Sequence, residues 1–450
     1  MVDNVSMYIY RASQTAGMHS SVGFISYSDW CKKVNHLAAK YRKSDAENWL
    51  LFDIDSYQFS LQFFAMLVAG KNIFLPPNQQ PETIKQLEKL VDANSSDIFD
   101  SSMNLIITEN ESAEFAINKQ QQVTIFTSGS SGQPKLIVKH VWQLLNEINE
   151  LQQLWGEEID EQITLSFVSH QHIYGLLFRL MWPVLSHRDL VVEQFEYPEH
   201  LVAKALEFNR SICIVGSPAH FTRLVGNNVL ADLNDSLGLI FSSGGNLPTD
   251  KAVALNHELS VNIVEVFGSS ETGGIGWRQQ AEPHCTQWQP FSTVKVSYDT
   301  KSQQLKIKSN YLQDVDSWYL CDDRIDLDEN GKFNLLGRID RIVKIEEKRL
   351  SLDEMEQQLS AHPFVKNVFV TLLQNTRVQV VAAVELSELG QEKLALDGKL
   401  AINNQLKSHL TQTFERVTLP KKWRYVDTLP YNAQGKLIKS EVEEMFNHGN

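Results

Sequence analysis

The nine residues Thr127-Ser128-Gly129-Ser130-Ser131-Gly132-Gln133-Pro134-Lys135 hold four hydroxyls, two glycines and one cation. The glycines let the backbone turn tightly and approach a ligand closely. Hydroxyls and free N–H groups can then converge on phosphate oxygens, with Lys135 adding positive charge. Gly/Ser-rich stretches are often plain surface loops or linkers. This one follows the apolar strand end Val123-Thr124-Ile125-Phe126 and precedes the amphipathic run Leu144–Leu154, and Pro134 fixes the backbone just before the lysine. The segment reads as a phosphate cradle, and the chain as a nucleotide-using enzyme. A Walker loop is excluded, because Gly-Lys-Ser/Thr opening a helix is absent: Pro134 precedes Lys135 and Leu136 follows it.

Five other segments carry residues that could do chemistry. Glu265-Val266-Phe267-Gly268-Ser269-Ser270-Glu271-Thr272 follows an apolar strand, and Glu271 offers the hard oxygen that suits Mg2+ beside phosphates. Ser242-Ser243-Gly244-Gly245 ends another strand with a double glycine. Asp322-Asp323 precedes Gly337-Arg338-Ile339-Asp340. Ser169-His170-Gln171-His172-Ile173-Tyr174-Gly175 and Asn432-Ala433-Gln434-Gly435-Lys436 complete the set. Taken singly, each is an ordinary loop or turn. Their order resembles the adenylate-forming superfamily of acyl-CoA synthetases, luciferases and peptide-synthetase adenylation domains, and within it the stand-alone acyl or aryl acid AMP-ligases. The resemblance covers nearly the whole chain, including the weaker Ala69-Gly70-Lys71 and Leu75-Pro76-Pro77 region.

The resemblance implies that Thr127, Ser128, Gly129, Ser130, Ser131, Gly132 and Lys135 hold the β- and γ-phosphates of ATP while a carboxylate attacks the α-phosphate. Phe267, followed by Gly268, would stack on adenine, Ser270 would touch the α-phosphate and Glu271 would hold Mg2+. Phe267 stands where tyrosine is more usual and Ser270 where threonine is, so the ring face and the hydroxyl are both kept. Gly244 and Gly245 would lie against adenine and the acyl pocket. Asp323 would accept the ribose hydroxyls, a strong oriented contact for a carboxylate, and Arg338 would reach ribose or phosphate. Cys321-Asp322 stands where Thr-Gly is usual. Asp340 matches a hinge, a few residues that absorb large φ/ψ changes. Lys436 would stabilise charge on carboxylate and α-phosphate, a large catalytic effect. His172 resembles the histidine of a His-x-x-Gly segment that flanks the incoming carboxylate, with His170 as a competing candidate. Relatives that activate amino acids carry an aspartate hereabouts. None lies within Ser166–Leu177, so an acid without an α-amino group is expected. Lys344-Ile345-Glu346-Glu347-Lys348-Arg349 departs from the pattern. Glu347 stands where a glycine leaves room for a pantetheine arm, which bears on the thiol acceptor rather than on adenylation.

These segments need a scaffold. Trp30, Val34, Leu37 and Ala38 recur at helical spacing, with Ser28 or Asp29 as cap. Trp49–Phe52 and Ile73–Leu75 read as short strands, and Phe59–Val68 as an apolar helix ended by Gly70. Alternation through Ile163–Val168, Ser211–Val215, Leu239–Phe241 and Asn262–Val266 predicts an α/β domain with substantial parallel sheet. From about residue 291 the pattern becomes antiparallel, with Thr293–Val296 and Leu305–Lys308 alternating apolar and polar. Leu352, Met355 and Leu359, then Ile402, Leu406, Leu410 and Phe414, form helical stripes around a strand at Val378–Val384. With the resemblance, the expected fold is α/β: a large multilayered N-terminal domain (1–338) that includes a distorted antiparallel β subdomain, then a small mobile α+β C-terminal domain (339–450) hinged near Asp340.

A chain of 450 residues suggests about two or three domains. A net charge of −14 excludes a general nucleic-acid binder and docking on anionic lipid. It leaves room for a local basic patch facing an acidic carrier protein. No apolar run approaches the ~20 residues that span a bilayer, and the N-terminus lacks a basic region followed by an apolar one. The four cysteines are scattered, without metal-ligand spacing, as thiols in a reducing compartment would be. A cytoplasmic enzyme without membrane insertion is expected. Its reaction would use ATP and Mg2+ to convert an aryl or fatty acid to an acyl-adenylate and pyrophosphate. Transfer to a pantetheine thiol, of an acyl carrier protein or of CoA, would follow; Glu347 and the compact length favour the carrier. The alternatives are a synthetase using free CoA only, a simple NTPase, and a degenerate ATP-binding protein without ligase activity.

Overall fold

In a computed structural model, residues 7–21, 23–99, 112–128, 134–345, 348–374, 378–432 and 437–447 are described. Two units separate: Met1–Lys295 with Lys308–Ser317, and Val296–Ile307 with Trp318–Asn450.

The near-continuous apolar runs of the first unit become one nine-stranded sheet among the described residues. Its order is Gln289–Pro290, Gly273–Gln279, Ile263–Ser269, Leu237–Ser243, Ile212–Gly216, Ile163–Ser166, Leu190–Gln194, Gly17–Ser20 and Gly23–Ser26. The strands from Ile263–Ser269 to Leu190–Gln194 pair in parallel. Ile163–Ser166 and Ile212–Gly216 are buried throughout, as parallel strands covered on both faces must be. Ile163, Leu165, Ile212, Ile214, Ile240 and Ile263 share one core with Leu201, Phe221 and Leu255 from the covering helices. A second sheet runs Ala93–Asn94, Asn48–Leu50, Asn72–Leu75, Gln122–Ser128 and Pro134–His140, parallel except for the last pair.

Two local details differ from the sequence reading. The cap of the helix Tyr27–Tyr41 is Ser26, whose Oγ accepts the Asp29 N–H at 3.1 Å. Ser28 and Asp29 are already inside the first turn, where the Asp29 charge suits the helix dipole. A strand, Pro134–His140, also intervenes between the phosphate-loop segment and the helix Val141–Ile159. The β-branched Ile137-Val138 pair favours that extended stretch. The helix Ser56–Ala69 ends as expected, with Gly70 at φ 83° as a left-handed cap.

In the second unit Tyr319–Leu327 pairs antiparallel with Gln304–Ser309 and with Phe333–Arg338. Ile342–Ile345 and Lys348–Ser351 form a hairpin. Val365–Gln374, Val378–Leu386 and Lys422–Val426 form a three-stranded sheet. The expected stripes Leu352, Met355, Leu359 and Ile402, Leu406, Leu410 are buried in one core with Val380, Ala382 and Val384. The whole is a mixed α/β protein with a large N-terminal and a smaller C-terminal domain, the expected class. Among the described residues no helix is long and apolar enough to cross a membrane.

Candidate active site

Glu271 occupies the tight turn between Ile263–Ser269 and the antiparallel Gly273–Gln279. Thr272 stiffens that turn, with its Oγ1 accepting the Ser269 N–H at 3.1 Å and donating to the Gly273 carbonyl at 2.8 Å. A Cβ at Gly268 would come within 2.3 Å of the Gly273 carbonyl oxygen, so the close approach needs glycine. Lys135 Nζ lies 2.7 Å from Glu271 Oε1. Burial works to raise the carboxyl's pKa, but the bond and charge of Lys135 prevail and hold it below the usual range. Thr127 and Ser128 end a strand whose register pairs them with Lys135 and Pro134. Gly129, Ser130, Ser131 and Gly132 lie outside the described residues.

Neighbouring strand ends bring the nucleotide candidates together. Ser243 pairs with Val266, and its Oγ donates to the Val266 carbonyl at 2.8 Å. Gly244, at φ 93°, turns the chain there in a conformation that favours glycine. A Cβ on Gly245 would make only an ordinary 3.7 Å contact with Pro218. Gly244-Gly245, Phe267 and the half-buried Ser270 thus sit at the carboxyl ends of adjacent parallel strands, where open α/β sheets bind ligands. The Phe267 ring is 5.5 Å from Trp288, tilted by 51°. Arg278 lies 4.3 Å over Trp288 and pairs with buried Glu265 at 3.0 Å. Arg278 Nη2 also donates to Asn246 Oδ1 at 3.0 Å, tying the glycine turn to the aromatic wall.

The two competing histidines separate cleanly. His170 is buried, with Nδ1 2.9 Å from Ser56 Oγ and Nε2 2.8 Å from the Asp53 carbonyl. A carbonyl only accepts, so Nε2 carries the proton and both ring nitrogens are engaged. Burial, with the Arg179 charge, pushes His170 down to about 3. It is a structural strut. His172 is the half-buried residue that starts a short helical turn, its carbonyl accepting the Leu176 N–H at 2.7 Å. A Cβ on Gly175 would meet the Ser169 carbonyl oxygen at 2.0 Å, so a close backbone approach sets the His-x-x-Gly spacing.

Asp323, Arg338 and Asp340 come together in the second unit. Asp323 and Arg338 are register partners, 3.9 Å apart at Oδ2 and Nη1. Arg338 Nε and Nη2 donate to the two Asp340 oxygens at 2.9 and 3.0 Å. Burial raises Asp323 to about 6; Arg338 opposes this, and Asp322, Asp340 and Asp353 reinforce it. Gly337, at φ 91°, leaves room for Asp353, which accepts the Arg338 N–H at 2.8 Å. Lys436 lies outside the described residues, in the segment bracketed by the bridge Tyr431↔Leu437. Glu347 lies outside them too, between strands that pair at Ile345↔Lys348.

Three side chains escaped the sequence reading. His220 Nδ1 receives the Ser217 N–H at 3.2 Å, which places the ring proton on Nε2. The ring stacks on Phe167 at 5.2 Å, and burial pushes it down to about 4. His220 lies on the helix Pro218–Leu224, which follows the strand Ile212–Gly216, and that strand pairs with the one that leads to His172. Lys139 and Glu147 are buried beneath the Glu271 turn; burial lowers the lysine to about 8 and raises the glutamate. Gln143, Glu147 and Glu150 fall at helical spacing among the polar residues of Val141–Ile159, a pattern that a solvated helix face gives as well.

The residues present fit the group implied at Glu271. A single hard carboxylate, kept ionised and beside a phosphate-loop lysine, is the donor that Mg2+ takes when substrate phosphates complete its shell.

The AMP-binding enzyme family matches residues 77–311, and the AMP-binding enzyme C-terminal domain matches residues 354–436. A 4-coumarate–CoA ligase of Cereibacter sphaeroides is 26% identical over 326 residues, 70% of this chain and 69% of that protein. A D-alanine–D-alanyl carrier protein ligase of Staphylococcus haemolyticus is 25% identical over 407 residues, 82% of this chain and 77% of that protein. The crystal structure of ATP-bound MatB from Rhodopseudomonas palustris superposes with a TM-score of 0.78 at 16% identity, covering 97% of this chain and 96% of that one, a likeness of fold. Motif order, fold and family match agree: the chain belongs to the AMP-binding enzymes of the adenylate-forming superfamily and is an AMP-forming acid–thiol ligase.

Proposed function

We propose that the protein converts an aryl or fatty acid lacking an α-amino group into its acyl-adenylate, then passes the acyl group to the pantetheine thiol of a carrier protein in the cytoplasm. The observation that supports this most is the meeting of Lys135 and Glu271, 136 residues apart in sequence, at 2.7 Å beside the strand ends that carry Phe267 and Gly244-Gly245. Lys135 would turn to the β- and γ-phosphates when ATP arrives, leaving Glu271 for Mg2+. The metal would neutralise charge developing on the phosphates. Phe267 would offer its ring face to adenine, and Ser270 its hydroxyl to the α-phosphate. Asp323 and Arg338 would fix the ribose. His172 would orient the incoming carboxylate, and Lys436 would stabilise the charge that builds between carboxylate and α-phosphate. A swing of the domain from residue 339 about Asp340 would then admit the thiol.

One sequence feature favours a carrier protein over free CoA. Glu347 puts a charge where relatives keep glycine. The test is pyrophosphate release measured across a panel of aryl and fatty acids, with holo carrier protein or CoA as acceptor. Release that needs an acid, and turnover that needs the carrier, are expected. Phosphate release without any acid would overturn the ligase reading, and efficient turnover with CoA alone would overturn the acceptor.

A further inference from the structure

Beneath the Glu271 turn lies a buried polar network that the proposed reaction does not use. Lys139 is only 3% exposed. Its Nζ donates to the carbonyl of Glu271 at 2.7 Å and to that of Tyr311 at 3.2 Å. Gln143 Nε2 donates to the same Tyr311 carbonyl at 2.5 Å. The buried Glu147 supplies the opposing charge and accepts the Gly274 N–H at 2.8 Å. Glycines make this approach possible. A Cβ on Gly273, which sits at φ 71°, would come within 2.8 Å of Glu147 Oε2, and one on Gly274 within 3.2 Å of Oε1.

Burying a cation and a carboxylate is expensive, and well-packed apolar residues usually serve a core as well or better. Here the two charged groups do not fill a core. Both reach the backbone that follows the side chain assigned to the metal, Lys139 at the Glu271 carbonyl and Glu147 at the Gly274 N–H. The strand geometry adds a second argument. Lys135 and Lys139 lie four residues apart on Pro134–His140, so alternation places them on the same face. Lys135 reaches the carboxylate of Glu271, and Lys139 reaches the carbonyl of the same residue. One strand, leaving the phosphate loop, touches the candidate metal ligand at both ends.

We propose that Lys139, with Glu147 as its counter-charge, is a positioning residue that fixes the Glu271 turn so that its carboxylate meets a nucleotide-bound magnesium ion. This rests on the metal-ligand reading of Glu271 given above. The test compares Lys139→Met, Lys139→Arg and the charge-balanced double variant Lys139→Met/Glu147→Gln with the wild type. ATP affinity is measured by calorimetry with Mg2+ and with a chelator, beside KM and kcat for pyrophosphate release and the melting temperature. The double variant keeps the measurement available if Lys139→Met does not fold. Expected is a folded double variant whose metal-free ATP affinity matches the wild type. Its Mg2+-dependent gain falls about 10- to 100-fold, the usual effect of removing a group that orients a metal ligand. Lys139→Arg restores part of that gain. A double variant with the full wild-type Mg2+ effect would overturn the proposal. So would one that loses affinity equally with and without metal, since that is general loosening. Glu271→Gln is the control: an unchanged Mg2+ effect there overturns the metal-ligand reading itself, and the proposal with it.

Discussion

Replacing Phe267 with alanine puts the nucleotide site to a quantitative test. The ring is half-buried and braced by Trp288 at 5.5 Å, which Arg278 and Glu265 hold in turn. Its plane is therefore set before any ligand binds, and little ordering entropy is spent on stacking. Base–aromatic stacking contributes ~1–3 kcal/mol by alanine substitution, and each 1.4 kcal/mol is a factor of ten. The KM for ATP should rise about 5- to 150-fold with kcat little changed, because stacking on adenine stabilises ground and transition states alike. The fold should lose a further ~0.5–1.5 kcal/mol with the Phe267–Trp288 pair. The assay is pyrophosphate release with ATP titrated at saturating acid. Phe267→Tyr and Phe267→Trp, which keep a ring face, should remain close to wild type. An alanine variant whose KM stays within about twofold would refute the stacking role. So would a leucine variant as good as the tyrosine one, because apolar area rather than a ring would then suffice.

Lys436→Ala should lower acid-dependent pyrophosphate release by about 10^2- to 10^3-fold, as loss of an oriented charge-stabilising group does, while calorimetry shows ATP affinity retained. His172→Ala should raise the KM for the acid. His170→Ala should instead cost about 1–3 kcal/mol in urea unfolding by stranding buried partners, with the acid KM unmoved. Asp323 is raised to about 6 from 3.8, so it is ionised only above that value in the free enzyme. In the proposed role of ribose acceptor it must be a carboxylate, so kcat/KM for ATP should fall about tenfold per unit below pH 6. Asp323→Asn should abolish that limb. The native state holds this proton through the window from 3.8 to 6, so the group's contribution to stability falls as pH rises there. The asparagine variant should therefore unfold at higher urea than wild type above pH 6.

The motifs that mark the family were legible because each lies within a few consecutive residues. Glycine at Gly244, Gly268 and Gly337 answers a turn or a close approach within a few residues. The parallel strands were legible because Ile163–Ser166 and Ile212–Gly216 are buried on both faces and carry continuous apolar runs. What escaped depends on partners remote in sequence. Met7–Arg11 is a strand because it pairs with Glu114–Asn118, and Gly17–Ser20 because it pairs with Leu190–Gln194. Gln143, Glu147 and Glu150 look like the wet side of a helix, yet they face the turns at Gly274, Ser292 and Tyr311. No local pattern distinguishes a solvated glutamate from one whose N–H donors arrive from more than a hundred residues away. The choice between His170 and His172 likewise needed Ser56 and Asp53, which only the fold brings near.

The alternation along Pro134–His140 sets a rule of parity on this part of the chain. Leu136 and Val138, on the face away from Glu271, are 46% and 48% exposed. Losing or gaining one residue between Lys135 and Lys139 would exchange the faces. One of the two contacts to Glu271 would then pass from a cation to an aliphatic side chain. A change of two residues would preserve the facing and alter only the reach. Related sequences that keep both lysines should therefore differ in this interval by even numbers, while the length of the preceding loop is under no such restriction.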